Sequence, residues 1–328
     1  MGMTNFGYTL MTEQSGPKEL VRYAVGAEAA GFDFAVSSDH YFPWLESMGH
    51  APYAWTVLGA VAQATSAIEL MTYVTCPTMR YHPAVVAQKA ATLGVLSDGR
   101  FTLGLGSGEN LNEHVVGAGW PAVAVRQDML EEAVEIIQEL FSGDRVTYDG
   151  EYFRVDQAKL WDLPEMPVPI GLAVSGPQSI HRFAPIGDHL IAVQPDGDAV
   201  ALWDELHPGT SSRKIGQIPI SWGPDKGAAI DRAHETFRWF GGGWGVNADL
   251  PTPAGFEAAS QFVRKDDVEQ AIPCGPDLDA VVKAVSEYWE AGFTDIAVVQ
   301  IGDETQDEFL ATAAGPLLDA LREAAPQV

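Results

Sequence analysis

Eight short runs of apolar and β-branched residues recur along the 328-residue chain, and most are followed by a longer amphipathic stretch. This alternation indicates strand–helix units, in which strands that are apolar on both faces are covered on both faces. Eight such units close most economically into a (β/α)8 TIM barrel, a fold of class α/β. The predicted strands are Phe6–Thr9, Phe34–Ser38, Leu70–Thr75, Phe101–Gly106, Ile170–Val174, Leu190–Val193, Ile215–Ser221 and Ile296–Gln300.

Two stretches interrupt this rhythm. Residues 145–168 contain a predicted hairpin turn at Tyr148–Tyr152, and residues 240–270 are rich in glycine, proline and aromatic residues. Neither resembles a low-complexity linker, and no internal repeat divides the chain. We therefore expect residues 1–328 to form a single barrel domain that carries two insertions.

The charge restricts the partners. The chain has 45 acidic and 19 basic residues, a net charge of −26, and so acidic a surface repels nucleic acids and anionic lipid. The sequence shows no long apolar segment and no signal-peptide pattern at its N-terminus. The two cysteines, Cys76 and Cys274, have no CxxC or zinc spacing. These features predict a cytoplasmic protein whose partner is a small molecule. An anionic ligand would need a binding site where the negative charge of the protein is locally offset.

Barrel active sites lie at the carboxyl ends of the strands. The second predicted strand is followed by Asp39, His40 and Trp44. A neighbouring carboxylate can orient an imidazole for proton transfer near neutral pH, and an indole offers a flat wall. The alternative is a histidine that only hydrogen-bonds its own loop. His50 and His82 lack the spacing of metal ligands, so we expect no metal.

The next two strand ends carry further candidates. Thr75–Pro83 is a short, stiff loop because it contains two prolines, which suits either a ligand wall or a plain turn. Gly104, Gly106 and Gly108 alternate after it and would let a ligand approach the backbone, with Glu109 placed for catalysis. In the alternative interpretation the glycines relieve crowding and Glu109 is solvated.

The fifth predicted strand ends in small residues, Ser175 and Gly176, before a helix start at Pro177. Free backbone N–H groups at such a place form an anion cradle, which would let an acidic protein hold a phosphate. A simple helix cap at Ser175 or Ser179 is the alternative.

Together these motifs resemble the luciferase-like superfamily of flavin and deazaflavin enzymes, and within it the coenzyme F420-dependent glucose-6-phosphate dehydrogenase group. The likeness spans nearly the whole chain and is densest before Gly187. The residues that carry it are Glu13-Gln14, Ser38-Asp39-His40, Phe42-Pro43-Trp44, Pro77-Thr78, the run from Tyr81 to Gln88, the run from Gly106 to Glu113, the run from Phe141 to Val146, and Ser175-Gly176-Pro177.

The resemblance implies a homodimeric barrel that binds coenzyme F420 with its deazaflavin ring at the barrel mouth. Asp39 would bind the cofactor and position its neighbour. His40 would take the hydroxyl proton of an alcohol as a hydride moves to the ring carbon C5. Trp44 and Glu109 would stabilise or protonate the reduced ring.

The resemblance also implies further contacts. Glu13 would bind substrate, and a non-proline cis peptide bond would join Tyr73 and Val74 behind the ring. The residues expected at the cofactor, besides Asp39, are Tyr73, Val74, Cys76, Gly106, Ser107, Asn112, Ser175, Gly176, Pro177 and Gln178.

The second half of the chain departs from the group, which holds the sugar phosphate there with lysine and arginine. This sequence has Asp196 and Asp198 after the sixth strand, a run from Phe256 to Ser260 without a cation, and Gln270 where an arginine is expected. Arg264 or Lys265 could supply a cation from a shifted position. Aromatic residues in this half suggest a more apolar pocket: Trp222, Trp239, Phe240, Trp244 and Phe256.

We therefore predict an F420-dependent oxidoreductase that transfers a hydride between an alcohol/carbonyl substrate without a phosphate and C5 of F420. A glucose-6-phosphate dehydrogenase is the first alternative. The second is an FMN-dependent luciferase-like monooxygenase, and a non-catalytic F420 carrier is the third.

Overall fold

A closed barrel of eight parallel strands forms the centre of the protein, in a computed structural model that describes residues 4–209 and 211–326. Strands 1 and 10 pair to close it, with Phe6 opposite Ile296. The predicted (β/α)8 barrel is confirmed. The order around the barrel is β1-β10-β9-β8-β7-β4-β3-β2, with strands β1 Asn5–Leu10, β2 Phe34–Ser37, β3 Glu69–Thr72, β4 Phe101–Leu105, β7 Ile170–Ala173, β8 His189–Ile191, β9 Lys214–Ile220 and β10 Asp295–Gln300.

All eight predicted strands are present. The largest difference is at β3, which ends at Thr72 rather than Thr75. Beyond it the pairing with β4 resumes only as a single bridge between Thr75 and Leu105. The residues that were predicted to end this strand therefore form part of the barrel mouth.

Helices cover the outside of the barrel. The first begins at Pro17 and ends at Gly31, whose φ of 97° is the left-handed conformation that favours glycine at a helix end. The helices are α1 Pro17–Ala30, α2 Ala54–Ala64, α3 Pro83–Leu96, α4 Asn110–Glu113, α5 Val123–Phe141, α6 Pro177–Phe183, α7 Gly197–Leu206, α8 Lys226–Phe237, α9 Trp244–Asn247, α10 Pro253–Ser260, α11 Lys265–Ala271, α12 Leu278–Glu290, α13 Gln306–Glu308 and α14 Ala314–Ala324. Short 3-10 segments lie at Glu46–Met48, His114–Val116, Arg238–Gly242 and Asp303–Thr305, and a π-helical turn at Phe309–Ala313.

Two apolar layers hold the barrel together. A large one lies between strands and helices and includes Phe6, Leu103 and Trp203. A small one fills the barrel interior and is formed by Phe34, Val36, Met71, Ile191, Ile215 and Ala297. Because side chains fill the interior, a ligand has access only at the ends of the strands.

Two segments lie outside the strand–helix repeat. Strands β5 Val146–Asp149 and β6 Arg154–Ala158 form the antiparallel hairpin predicted near residue 150. The second segment, residues 238–260 between β9 and β10, crosses the mouth of the barrel, and we call it the arch. No helix in the described part of the chain is long and apolar enough to span a membrane.

Candidate active site

A cavity of about 340 Å³ opens at the carboxyl ends of the strands, within the usual size range of small-molecule sites. Three titratable side chains from three different strand ends line it: Glu13 after β1, His40 after β2 and Glu109 after β4. The barrel thus brings together residues that are far apart in sequence.

His40 lies between the two carboxylates. Its Nδ1 is 3.2 Å from Oε1 of Glu13, and its Nε2 is 3.3 Å from Oε2 of Glu109. Its Nδ1 also lies 3.3 Å from the backbone oxygen of Phe42. With both ring nitrogens engaged, the imidazole has a fixed orientation, and the carboxylates compensate the charge of an imidazolium. The imidazole thus contacts residues beyond its own loop, and the arrangement is suited to proton transfer.

The pKa of Glu109 is raised to about 7, mainly by burial; the nearby carboxylates of Glu13 and Glu113 also raise it, and His40 opposes them. A carboxyl group with this pKa both holds and releases a proton near neutral pH. The Glu109 side chain is 15% exposed, at the cavity, rather than fully solvated, and its carboxyl group lies within reach of His40 for proton exchange.

Glu13 is almost fully buried. Its carboxylate accepts hydrogen bonds from the hydroxyl groups of Thr12 and Ser38 in addition to its contact with His40. It lines the cavity, as expected of a substrate-binding residue. Its geometry also makes it the group that orients the imidazole.

The Asp39 carboxylate has its hydrogen bonds within the protein. Oδ2 accepts from Trp55 Nε1 at 3.0 Å and Thr75 Oγ1 at 2.7 Å, while Oδ1 accepts from the Tyr81 hydroxyl at 3.1 Å and Arg80 Nη2 at 3.3 Å. The side chain is 0% exposed. Asp39 borders the cavity, but these contacts favour positioning of His40 over direct contact with a cofactor.

Asn112 also acts on the loop that carries His40. Its Oδ1 accepts from the backbone N–H groups of Tyr41 and Phe42, at 2.8 and 3.3 Å, and its Nδ2 donates to Glu109. Asn112 was expected at the cofactor and does line the cavity. Its contacts connect the two catalytic loops.

A buried ion pair behind the site was missed by sequence reasoning. Arg80 donates to the backbone oxygen of Asp39 at 2.6 Å, and its Nε lies 3.5 Å from Glu113. Glu113 in turn accepts the Arg80 backbone N–H at 2.8 Å. The only sequence signal was the presence of both residues in loops after β3 and β4.

Lys89 extends this network outward and was also missed. Its Nζ lies 3.3 Å from the ring centroid of Tyr81, 5.0 Å from that of Tyr53 and 5.4 Å from that of Trp55, and it has no hydrogen-bond partner among the described residues. Burial lowers the pKa of Lys89 to about 8. The ammonium group is held by aromatic faces alone.

The wall formed by β3 and β4 has the geometry that the resemblance implies. The peptide bond between Tyr73 and Val74 is cis, and both residues, with Cys76, Gly106 and Ser107, line the cavity. Burial raises the pKa of the Cys76 thiol well above its usual range, so it is not a thiolate nucleophile.

The alternating glycines serve packing. A Cβ on Gly104 would lie 1.9 Å from the backbone oxygen of Thr72, and one on Gly106 would lie 2.6 Å from Cγ2 of Val74. These glycines therefore permit close packing around β4, while Gly106 and Gly108 also line the cavity. Whether they admit a ligand to the backbone stays a prediction.

The predicted anion cradle has few free donors. The backbone N–H groups of Ser175 and Gly176 both point to Oγ of Ser179, at 3.1 and 3.3 Å. Ser175 and Gly176 line the cavity, whereas Pro177 and Gln178 are exposed and do not. The role of Pro177 and Gln178 at the cofactor, which the resemblance implies, stays a prediction.

Arg126, which sequence reasoning did not single out, is the one lysine or arginine in the described chain that lines the cavity. Its side chain is 5% exposed and lies on the ring of Trp120, at 4.0 Å. Nη1 donates to the backbone oxygen of Pro121 and lies 3.9 Å from Asp249, while the buried Nε has no partner among the described residues. A guanidinium group with unused donors is suited to an anion.

The arch supplies an aromatic wall. Trp239 stacks on Trp44, with ring centroids 4.0 Å apart and planes 10° apart, and Phe256 packs edge-on against Trp44 at 5.0 Å. The ring centroid of Trp44 is also 4.9 Å from that of His40, with the planes tilted by 56°. Trp239, Phe240 and Trp244 line the cavity as predicted, whereas Trp222 packs against Phe309 elsewhere.

The cations considered for a substrate phosphate lie outside the cavity. Arg264 is exposed and pairs with Asp267, and Lys265 pairs with Asp231. Asp196 does line the cavity, where its side chain caps α7, while Asp198 is exposed and does not. Within residues 4–209 and 211–326, no group of three or more His, Cys, Asp or Glu side chains could hold a metal ion.

These features define a luciferase-like barrel with a histidine held between two carboxylates at its mouth. The sequence matches the family described as luciferase-like monooxygenase over residues 3–295, and the chain belongs to this family.

Two relatives and one solved structure are informative. The chain is 35% identical to the F420-dependent glucose-6-phosphate dehydrogenase of Beutenbergia cavernae, over 99% of this chain and 100% of the relative. It is 37% identical to the F420-dependent hydroxymycolic acid dehydrogenase of Mycobacterium tuberculosis, over 87% of this chain and 80% of that one. An F420-dependent secondary alcohol dehydrogenase, solved in complex with an F420-acetone adduct, superposes with a TM-score of 0.87 at 29% identity, covering 95% of this chain and 99% of that one.

Proposed function

We propose that the protein is a coenzyme F420-dependent oxidoreductase that acts on the CH–OH group of an alcohol without a phosphate. The observation that carries the proposal is the position of His40 between Glu13 and Glu109 in a cavity with an aromatic wall. The full-length similarity to F420-dependent dehydrogenases supports the choice of cofactor.

The residues present fit this cofactor. Tyr73 and Val74 provide the wall for the ring, and a Cβ on Gly176 would extend into open space beside the cavity. The buried, unpartnered Nε of Arg126 offers a donor for the anionic part of the molecule. When bound, the deazaflavin ring supplies a carbon, C5, that accepts or returns a hydride.

The chain's own residues then need to move one proton. His40 takes the hydroxyl proton of the alcohol on Nε2 while the carbinol carbon loses its hydride, so that a carbonyl group forms. Glu13 holds the opposite nitrogen, Nδ1, and Glu109 exchanges the proton with Nε2 across 3.3 Å. Trp44 shields this face of the site from water, because Trp239 and Phe256 pack against it. In the opposite direction the same groups protonate a carbonyl oxygen.

The charges at the site disfavour a sugar phosphate. Five carboxylates line the cavity, Glu13, Asp39, Glu109, Glu113 and Asp196, and Arg126 is the one guanidinium or ammonium group among the described residues that does. If the anionic part of the cofactor binds Arg126, a second anion has no charged partner. Glucose 6-phosphate remains the alternative to be tested.

The test is spectroscopic. The purified protein is incubated with F420 and with FMN, and the retained chromophore is identified; reduction of F420 is then followed by its absorbance with simple alcohols, free sugars and glucose 6-phosphate. We expect F420 binding and turnover of an unphosphorylated alcohol. Retention of FMN without F420 binding would establish the monooxygenase alternative, and F420 binding without turnover of any substrate would establish a carrier.

We further propose that the chain is one barrel domain with two insertions that acts as a homodimer in the cytoplasm. The two free thiols, Cys76 and Cys274, support a reducing compartment. The dimer rests on the resemblance alone, and light scattering of the purified protein, which should give twice the chain mass, tests it.

A further inference from the structure

Large apolar side chains are exposed at the entrance of the cavity. Val123 is 55% exposed, Trp244 48% and Val193 38%, and all three line the cavity. They come from three separate segments: α5, the arch and the loop after β8. Exposed apolar side chains that line a cavity offer surface that an apolar ligand can cover.

The arch is anchored on both sides of the entrance. On one side Trp239 and Phe256 pack against Trp44. On the other side the backbone oxygen of Ala248 accepts the Asn110 N–H at 2.9 Å, and Asp249 accepts from Trp120 Nε1 at 2.9 Å. Trp244 lies between the two anchors and is thereby held at the entrance.

The cavity combines polar and apolar lining residues. The imidazole of His40 and the carboxylates of Glu13 and Glu109 line it together with three aromatic residues of the arch, of which Trp239 is buried, Phe240 half-buried and Trp244 exposed. A ligand complementary to this distribution has one hydroxyl or carbonyl group and an apolar chain.

We infer that the substrate is an alcohol or ketone with an extended apolar chain, which lies along Trp239 and Phe240 and leaves the cavity across Trp244. This inference rests on the proposed function and specifies its substrate class. Trp244 is then a specificity-determining residue, because it contacts only the part of the chain that is remote from the reacting carbon.

Linear secondary alcohols from propan-2-ol to decan-2-ol test the inference, with F420 reduction as the assay. We expect kcat/KM to rise by about fourfold per methylene, the effect of burying one CH₂ group, until the chain passes Trp244. Trp244→Ser should lower kcat/KM little for propan-2-ol and at least tenfold for octan-2-ol. Trp244→Phe should retain most of the dependence of kcat/KM on chain length. Trp161→Ser is the matched control, since Trp161 is 80% exposed and does not line the cavity.

The outcomes separate the two proposals. If short alcohols reduce F420 and kcat/KM does not depend on chain length, the inference is overturned and the proposed function stands. Equal losses for Trp244→Ser at every chain length would also overturn it. If F420 binds, as fluorescence titration shows, but no alcohol in the series is oxidised, the inference fails; the proposed function fails as well if free sugars and other unphosphorylated alcohols are not oxidised either.

Discussion

Nε2 of His40 lies 3.3 Å from Oε2 of Glu109, while Glu13 holds the other ring nitrogen. The two loops that carry this pair are joined by Asn112. The relative position of the imidazole and the Glu109 carboxyl group is therefore fixed by contacts within the folded chain.

Replacement of His40 by alanine should abolish most turnover. A positioned general base contributes about 10²- to 10⁴-fold, so we expect kcat to fall by at least 100-fold with the dissociation constant of F420 changed less than threefold. Stopped-flow reduction of F420 and fluorescence titration measure the two quantities. Loss of F420 binding in parallel with turnover would instead place His40 in the cofactor site.

Glu109→Gln should change how stability depends on pH. The pKa of Glu109 is about 7 in the folded protein and lies near 4.5 in the unfolded chain, so the unfolded state releases its proton first as the pH rises. As the pH rises between these two values, the free energy of unfolding of the wild type falls by up to about 3 kcal/mol, at 1.36 kcal/mol per pKa unit. The glutamine variant has no titrating group at this position and does not show this fall.

Urea unfolding of both proteins at pH 5 and pH 8 measures this effect. We expect the free energy of unfolding of the variant, minus that of the wild type, to be larger at pH 8 than at pH 5. An identical difference at both pH values would contradict the raised pKa.

Arg126→Met should weaken binding of the whole cofactor but not of its ring. Charge-assisted hydrogen bonds contribute about 1.5–3 kcal/mol, so we expect F420 to bind 10- to 100-fold more weakly, whereas the deazaflavin fragment without phosphate and glutamates binds as before. Arg264→Met is the control, because Arg264 is exposed and pairs with Asp267. Equal weakening of both ligands by Arg126→Met would show a structural role instead.

Lys89→Met should stabilise the protein at neutral pH. The pKa of Lys89 is lowered to about 8. This means that burial destabilises the ammonium form more than its contacts with the aromatic rings stabilise it. The unfolded chain binds the proton up to about pH 10.5, so wild-type stability rises between pH 8 and 10.5. Partial solvent screening reduces the expected gain at pH 7 to about 1 kcal/mol.

Thermal or urea unfolding at pH 7 and pH 10 checks this prediction. The advantage of methionine over lysine should shrink at the higher pH. A less stable variant at pH 7 would show that the cation–π contacts outweigh desolvation.

The sequence predicted the parts of the site that follow from strand periodicity. His40 and Glu109 stand just after apolar runs, and in a parallel barrel such residues meet at one end. The contacts of Arg80 with Asp39 span 41 residues and depend on the path of two irregular loops, which periodicity does not describe. Arg126 was missed for a similar reason, because a cation in the first turn of a helix usually faces solvent. The glycines after β4 have the same pattern whether they face a ligand or a neighbouring strand.

The arch has a consequence for how this protein changes over evolutionary time. Glu13, His40 and Glu109 come from the loops after β1, β2 and β4, whereas the aromatic residues Trp239, Phe240 and Trp244 of the cavity wall come from one continuous stretch, residues 238–260. Substitutions or exchange of that one stretch can therefore alter which molecules are accepted while the reaction itself is inherited unchanged.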